Sequence, residues 1–120
     1  MNFFIFTLLK MRVRLIKKKT IEDFAFKNAN SRSSFRLWLS VIKVADWEIS
    51  EHITATFGSA DLLGNGSNRV VVDIGGNHYR MICKYHFTKT MVHLYVKWIG
   101  SHSENNKLCS SNRQYIIDIF

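Results

Sequence analysis

Between Arg69 and Lys107 the chain alternates apolar and polar residues in two long runs. In an extended strand successive side chains point to opposite faces with period two. Tyr79, Met81, Cys83, Tyr85 and Phe87 therefore share one face, and Arg80, Ile82, Lys84 and His86 the other. The next run places Val92, Leu94, Val96 and Trp98 on an apolar side and His93, Tyr95, Lys97 and Ile99 on the reverse. A further short strand precedes them in RVVVDI. Gly75–Gly76–Asn77 supplies a hairpin turn, and Thr88–Lys89 supplies the next. The spacing thus predicts an antiparallel meander followed by a polar, His-containing loop.

Upstream the period changes. Val13–Ile16, an apolar stretch between basic residues, predicts a first strand. Thr20 and Asp23 give a Thr-x-x-Asp start signal for a helix ending near Asn30. A second helix runs from Ser31 or Ser34 to Ala45, with Phe35, Trp38, Leu39, Ile42 and Ala45 at helical spacing and Leu37, Val41 and Val44 widening the stripe. Ser50–Phe57 can make one or two helical turns, and GSADLLGNGSN reads as a loop. Gln114–Phe120 reads as a closing strand. The expected fold is α+β: two N-terminal helices packed on one face of a small antiparallel sheet, in the order β-α-α-β-β-β with a C-terminal strand.

At 120 residues the chain has room for one core. Its net charge of +8 suits a polyanion or an acidic protein partner. The exposed sides of the two long strands carry no Asp or Glu, which turns an ordinary solvated sheet face into a candidate surface for RNA. Cys83 and Cys109 are too few for a disulfide scaffold, and Cys83 reads as a buried, reduced thiol. The opening MNFFIFTLLK has its charges after the apolar run and is too short to span a bilayer. We expect residues 1–10 to be a non-native or disordered extension and 11–120 a single domain beginning at Met11.

His52, His78, His86, His93 and His102 show no metal-ligand spacing and lack supporting carboxylates, so neither a metal nor another cofactor is expected. No phosphate-binding glycine loop or nucleophile elbow is present. What remains is a set of Arg, Lys, His and Tyr side chains on one sheet face and its following loop. Such a set can cleave RNA without metal, because RNA carries its own nucleophile, the 2′-OH. The protein need supply an acid, a base and fixed cations for the phosphorane, and a single preorganised contact is worth on the order of 3 kcal/mol. In this scheme Arg80 and Lys84 hold the phosphate, and His102 transfers the proton. Lys97, Lys107, Tyr95, His93, His86 and Lys89 are the expected RNA contacts.

The stretches RVVVDIGGNHYRMICK and VKWIGSHSENNK resemble the HigB toxins of bacterial toxin–antitoxin modules, where the pattern is close to FNIGGNKYRL…K and RFIGTHAEYDKL. TATFGSADLLGNG is similar to the family's ATFPSAD loop, and MRVRLIKKKTIEDF to its opening. The likeness covers about residues 11–108. It implies a RelE-like fold and an mRNA interferase acting during translation in the cytoplasm. It also implies a HigA-like helix-turn-helix antitoxin as partner. By the same resemblance Arg80 stands at the scissile phosphate, His102 at the cleavage site, and Lys107 at the family's closing Lys.

One departure concerns the family's Glu-Tyr-Asp-Lys, here Glu104-Asn105-Asn106-Lys107. Asn stacks weakly and does not titrate usefully. Either His102 suffices, Tyr95 or Tyr115 substitutes, or this copy is attenuated. The competing reading is a non-catalytic RNA- or ribosome-binding inhibitor of translation. A weaker third is a membrane-active toxin working through residues 1–19.

Overall fold

The computed structural model describes residues 11–120. The elements run β1 (Arg12–Ile16), α1 (Lys18–Lys27), a 3-10 turn (Ala29–Ser31), α2 (Arg32–Val44), α3 (Glu51–Thr56) and β2 (Asp61–Leu63). They continue with β3 (Arg69–Ile74), β4 (Tyr79–Phe87), β5 (Met91–Ser101), α4 (His102–Ser110) and a 3-10 turn (Arg113–Tyr115). The class is α+β, and the five strands form one sheet in the order β1-β5-β4-β3-β2. The sheet is mixed, which corrects the all-antiparallel expectation: β1 lies parallel to β5, with Arg12 opposite Met91 and Ile16 opposite Tyr95.

The main core forms as the apolar spacings require. Phe35, Trp38 and Ile42 of α2 bury against Val70, Val72, Ile74, Met81, Cys83, Val92, Leu94 and Val96, with Ile21 of α1 and Ile53 of α3 beside them. Trp47 is fully enclosed, and its indole N–H donates to Thr56 Oγ1 at 2.9 Å. The Gly75–Gly76 turn has positive φ at both glycines, +66° and +64°, a region that costs a side-chain-bearing residue free energy.

Four expectations are corrected. The Thr20–Asp23 cap is unused: α1 starts at Lys18, after Lys17 turns into the left-handed region at φ 65°. The GSADLLGNGSN loop contains a strand, β2, antiparallel to β3. The polar segment after β5 is a helix. The C-terminal segment Gln114–Phe120 is no strand: it follows a 3-10 turn as irregular chain, held by Arg69, whose guanidinium donates to the carbonyls of Gln114 (3.2 Å) and Ile117 (2.7 Å).

A further correction concerns β5. Its register against β4 shifts between Ile82 and Cys83: Cys83 faces Val96 while Ile82 faces Trp98, leaving Lys97 as the extra residue of a β-bulge. Beyond the bulge the faces exchange. Ile99, expected on the polar side, joins the main core, and Trp98 crosses to the opposite face. There Trp98 builds a second cluster with Ile82, Leu108 of α4 and Ile117 of the tail, flanked by Leu63 and Val71. The sheet is therefore covered on both faces at one end and on one face only at the other.

Candidate functional site

The second cluster divides the outer sheet face into two neighbourhoods. The open half, toward the β4–β5 hairpin, is laid out by strand register. Lys84 lies opposite Tyr95 and His86 opposite His93. Arg14 of β1 lies opposite His93 on the other side, with Arg12 opposite Met91. Lys84, His86, Arg12 and Arg14 are exposed, while His93 and Tyr95 are half-buried. The rings form a chain: His86 to His93 at 6.3 Å between centroids, and His93 to Tyr95 at 6.2 Å edge-on. His93 Nε2 lies 3.2 Å from Met91 Sδ, and Lys97 Nζ lies 5.6 Å from the Tyr95 ring centre, a cation–π contact. Lys89 is exposed on the hairpin turn beyond. No strand position of this half carries a carboxylate.

Arg12 and Arg14 were not among the sequence candidates. Their alternation with Val13 and Leu15 was visible. The parallel pairing that sets them beside His93 was not.

The second neighbourhood is the corner where β3, β4 and α4 meet. Arg80 lies opposite Gly100, and the His102 backbone N–H donates to the His78 carbonyl at 3.2 Å, so Arg80 and His102 belong to the same end of the sheet. Arg80 is enclosed, its side chain 11% exposed, and Nε meets Asp73 Oδ1 at 2.9 Å. Its other nitrogens donate to Asn77 Oδ1 at 2.9 Å and to the Tyr79 carbonyl at 3.2 Å. The carboxylate missing from β4 and β5 thus arrives from β3. Lys84 stands four residues along β4 from Arg80, roughly 13 Å at a strand's rise per residue. Ile82, under Trp98 and Leu108, separates them. The structure sets Arg80 and the backbone of His102 at one end of the sheet and Lys84 apart from them.

His102 occupies the first turn of α4, partly exposed, with Nδ1 enclosed and unpartnered. The helix begins there because Ser101 and Glu104 form a capping box: Ser101 Oγ accepts from the Glu104 N–H at 3.1 Å, and Glu104 Oε1 accepts from the Ser101 N–H at 2.8 Å. The sequence Ser-His-Ser-Glu carries this signal. Lys107 is exposed on α4.

The hydrogen bond from the Ser101 backbone N–H holds the Glu104 carboxyl below its ordinary 4.5, with the Ser101 side chain and Lys107 acting in the same direction. A lowered folded value stabilises fully above pH 4.5 and is lost as pH falls through the folded value. In acid unfolding followed by circular dichroism, the wild type should therefore lose stability below pH 4.5 more steeply than Glu104→Gln. Equal slopes would show that the box carboxylate contributes nothing.

Cys83 is fully buried, and burial pushes its thiol up to about 12, so it is no nucleophile. Among the described residues no three His, Cys, Asp or Glu side chains gather at metal-binding distances. Among them too, no helix is long and apolar enough to cross a membrane.

Fold and charge define a small, basic α+β domain whose half-open sheet presents cations and aromatic rings on one face. Residues 31–108 match the HigB toxin family, the RelE-like toxic component of a toxin–antitoxin system. The chain belongs to that family. It is also similar to an mRNA interferase HigB from Escherichia coli O6:H1 (strain CFT073), 28% identical over 102 residues that span 85% of this chain and 97% of the relative.

Proposed function

We propose that this toxin is an mRNA interferase: a single domain over residues 11–120 that cleaves messages on the translating ribosome, in the cytoplasm, and is neutralised by a HigA-like helix-turn-helix antitoxin. The observation that carries the reading is the half-sheet of Arg14, Lys84, His86, His93 and Tyr95, whose strand positions carry no carboxylate, beside the end of the sheet that holds Arg80 and the start of α4. The relative's name supports the same activity.

In this mechanism the 2′-oxygen attacks the neighbouring phosphorus and the bond to the 5′-oxygen breaks. One proton leaves the 2′-OH and one reaches the departing oxygen, and His102 is the side chain suited to either transfer near neutral pH. Arg80 faces the phosphorane once phosphate replaces Asp73 as its partner. Lys84 acts on the phosphate of a different nucleotide, while Lys97, Lys89 and Lys107 add attraction along the strand. Tyr95, His93 and His86 offer ring faces for unstacked bases, which single-stranded RNA recognition uses. No step requires a metal, since the nucleophile belongs to the substrate and the stabilising charges to the protein.

The second reading, a ribosome- or RNA-binding inhibitor without cleavage, is favoured by Asn105 and Asn106 and by the full engagement of Arg80. Inducing the full chain and mapping message 5′ ends separates the two. Growth arrest with new ends inside translated frames is the expected outcome. Arrest with no new ends would overturn the nuclease and leave the binding inhibitor.

A further inference from the structure

The C-terminal tail places one carboxylate on the cationic side of the sheet. Asp118 Oδ2 lies 3.1 Å from Lys97 Nζ, and the Ile119 N–H donates to the Lys97 carbonyl at 3.1 Å, so side chain and backbone both anchor the tail at the bulge. Arg69 fixes the preceding turn through the Gln114 and Ile117 carbonyls, and Ile117 is locked into the second cluster. The Lys97 hydrogen bond, with Lys97, Lys17 and Arg69 acting through space, holds the Asp118 carboxyl below its usual range. The Lys97 side chain is 18% exposed and that of Asp118 49%, so the acid lies on the solvent side of the lysine. An anion arriving along Lys84 and Tyr95 would meet Lys97 already taken.

We propose that Lys97, beside the turn that Arg69 anchors, forms a phosphate subsite that the chain's own Asp118 carboxylate fills. The bulge gives the subsite its shape. As the extra residue of β5, Lys97 is released from the strict alternation and turns toward the tail. Tail and incoming phosphate compete for one cation, so the tail restrains binding of polyanion until a phosphate displaces it. That the natural competitor is an RNA phosphate rests on the proposed function; that the subsite takes a phosphate does not.

The test compares the full chain with Asp118→Asn and Asp118→Glu, using inorganic pyrophosphate and a 12-nucleotide single-stranded RNA as probes. With pyrophosphate followed by amide NMR, Asp118→Asn should give saturable shifts at Lys97 and Ile119 at concentrations at least tenfold below those the wild type needs. Asp118→Glu should resemble wild type, and adding Lys97→Gln to Asp118→Asn should remove the gain. With RNA, Asp118→Asn should bind more tightly and show a slope of log affinity against log salt steeper by about 0.7, the value for one added single-strand phosphate contact. Pyrophosphate shifts equal in wild type and Asp118→Asn, or confined to other residues, would overturn the subsite. Should pyrophosphate discriminate the variants while RNA binds neither, the subsite stands and the RNA reading of the sheet falls. Should RNA bind both alike and pyrophosphate fail to discriminate, the subsite falls and the RNA reading stands.

Discussion

Replacing His102 with alanine in the full chain should leave the fold intact and lower message cleavage by on the order of 10²–10⁴-fold, the range of a positioned acid or base. The fold survives because the position contributes through its backbone. The His102 N–H donates to the His78 carbonyl, and the capping box belongs to Ser101 and Glu104. Alanine is a good residue for the first helical turn. The loss should fall on the single-turnover rate with ribosome-bound message, with affinity for RNA nearly unchanged. His93→Ala should behave the other way, weakening RNA binding more than the bound-state rate, because it stands on the half-sheet and not at the corner. A His102→Ala chain cutting within threefold of wild type would remove His102 from the mechanism and turn attention to Tyr95.

Gly100→Ala should unfold at lower denaturant than wild type and should lose activity although it removes no functional group. A Cβ at position 100 would lie 2.4 Å from Trp98 Cζ2 and 2.6 Å from Cη2, far inside contact distance. The indole has nowhere simple to go, since it is wedged among Ile82, Leu108 and Ile117. Overpacking of this kind costs about 1–3 kcal/mol. Position 100 also pairs with Arg80 and leads directly into the Ser101 cap, so any shift there moves the Arg80–His102 corner. Adding Trp98→Leu should recover part of the lost stability, a coupling that only residues in contact show. An unchanged midpoint for Gly100→Ala, or strict additivity of the pair, would contradict the placement of the indole over the glycine.

These two positions also show where sequence reading succeeds and where it fails. The α2 stripe of Phe35, Trp38 and Ile42 and the alternation of Tyr79 through Phe87 were legible, because burial enforces a period. The Gly75–Gly76 turn was legible because positive φ selects glycine. The bulge was not. One extra residue at Lys97 leaves composition untouched yet exchanges Trp98 and Ile99 between faces, and no Gly or Pro marks it. Helix α4 is almost wholly polar, with Leu108 its sole buried residue, so periodicity is silent and only the Ser101–Glu104 box announces it. The tail misled in the opposite sense: QYIIDIF has strand composition, but Ile117 spends its apolar surface on the second cluster and Arg69 takes its carbonyls. For the site, residue types were legible and partners were not. Asp73 meets Arg80 across a hairpin that was expected but whose register was not, and Asp118 reaches Lys97 from a tail that was expected to be a strand.

The parallel seam between β1 and β5 carries a consequence for timing. Arg12–Ile16 is synthesised well before its partner Met91–Tyr95. At roughly 5–20 residues per second of synthesis, β1 waits on the order of several seconds before a mate exists, and parallel, long-range pairing is intrinsically slow. The edge that carries Arg12 and Arg14 is thus seated late, and α4, with His102, emerges later still. On a growing chain the cationic edge and the corner at the start of α4 are therefore absent until β5 and α4 have been made.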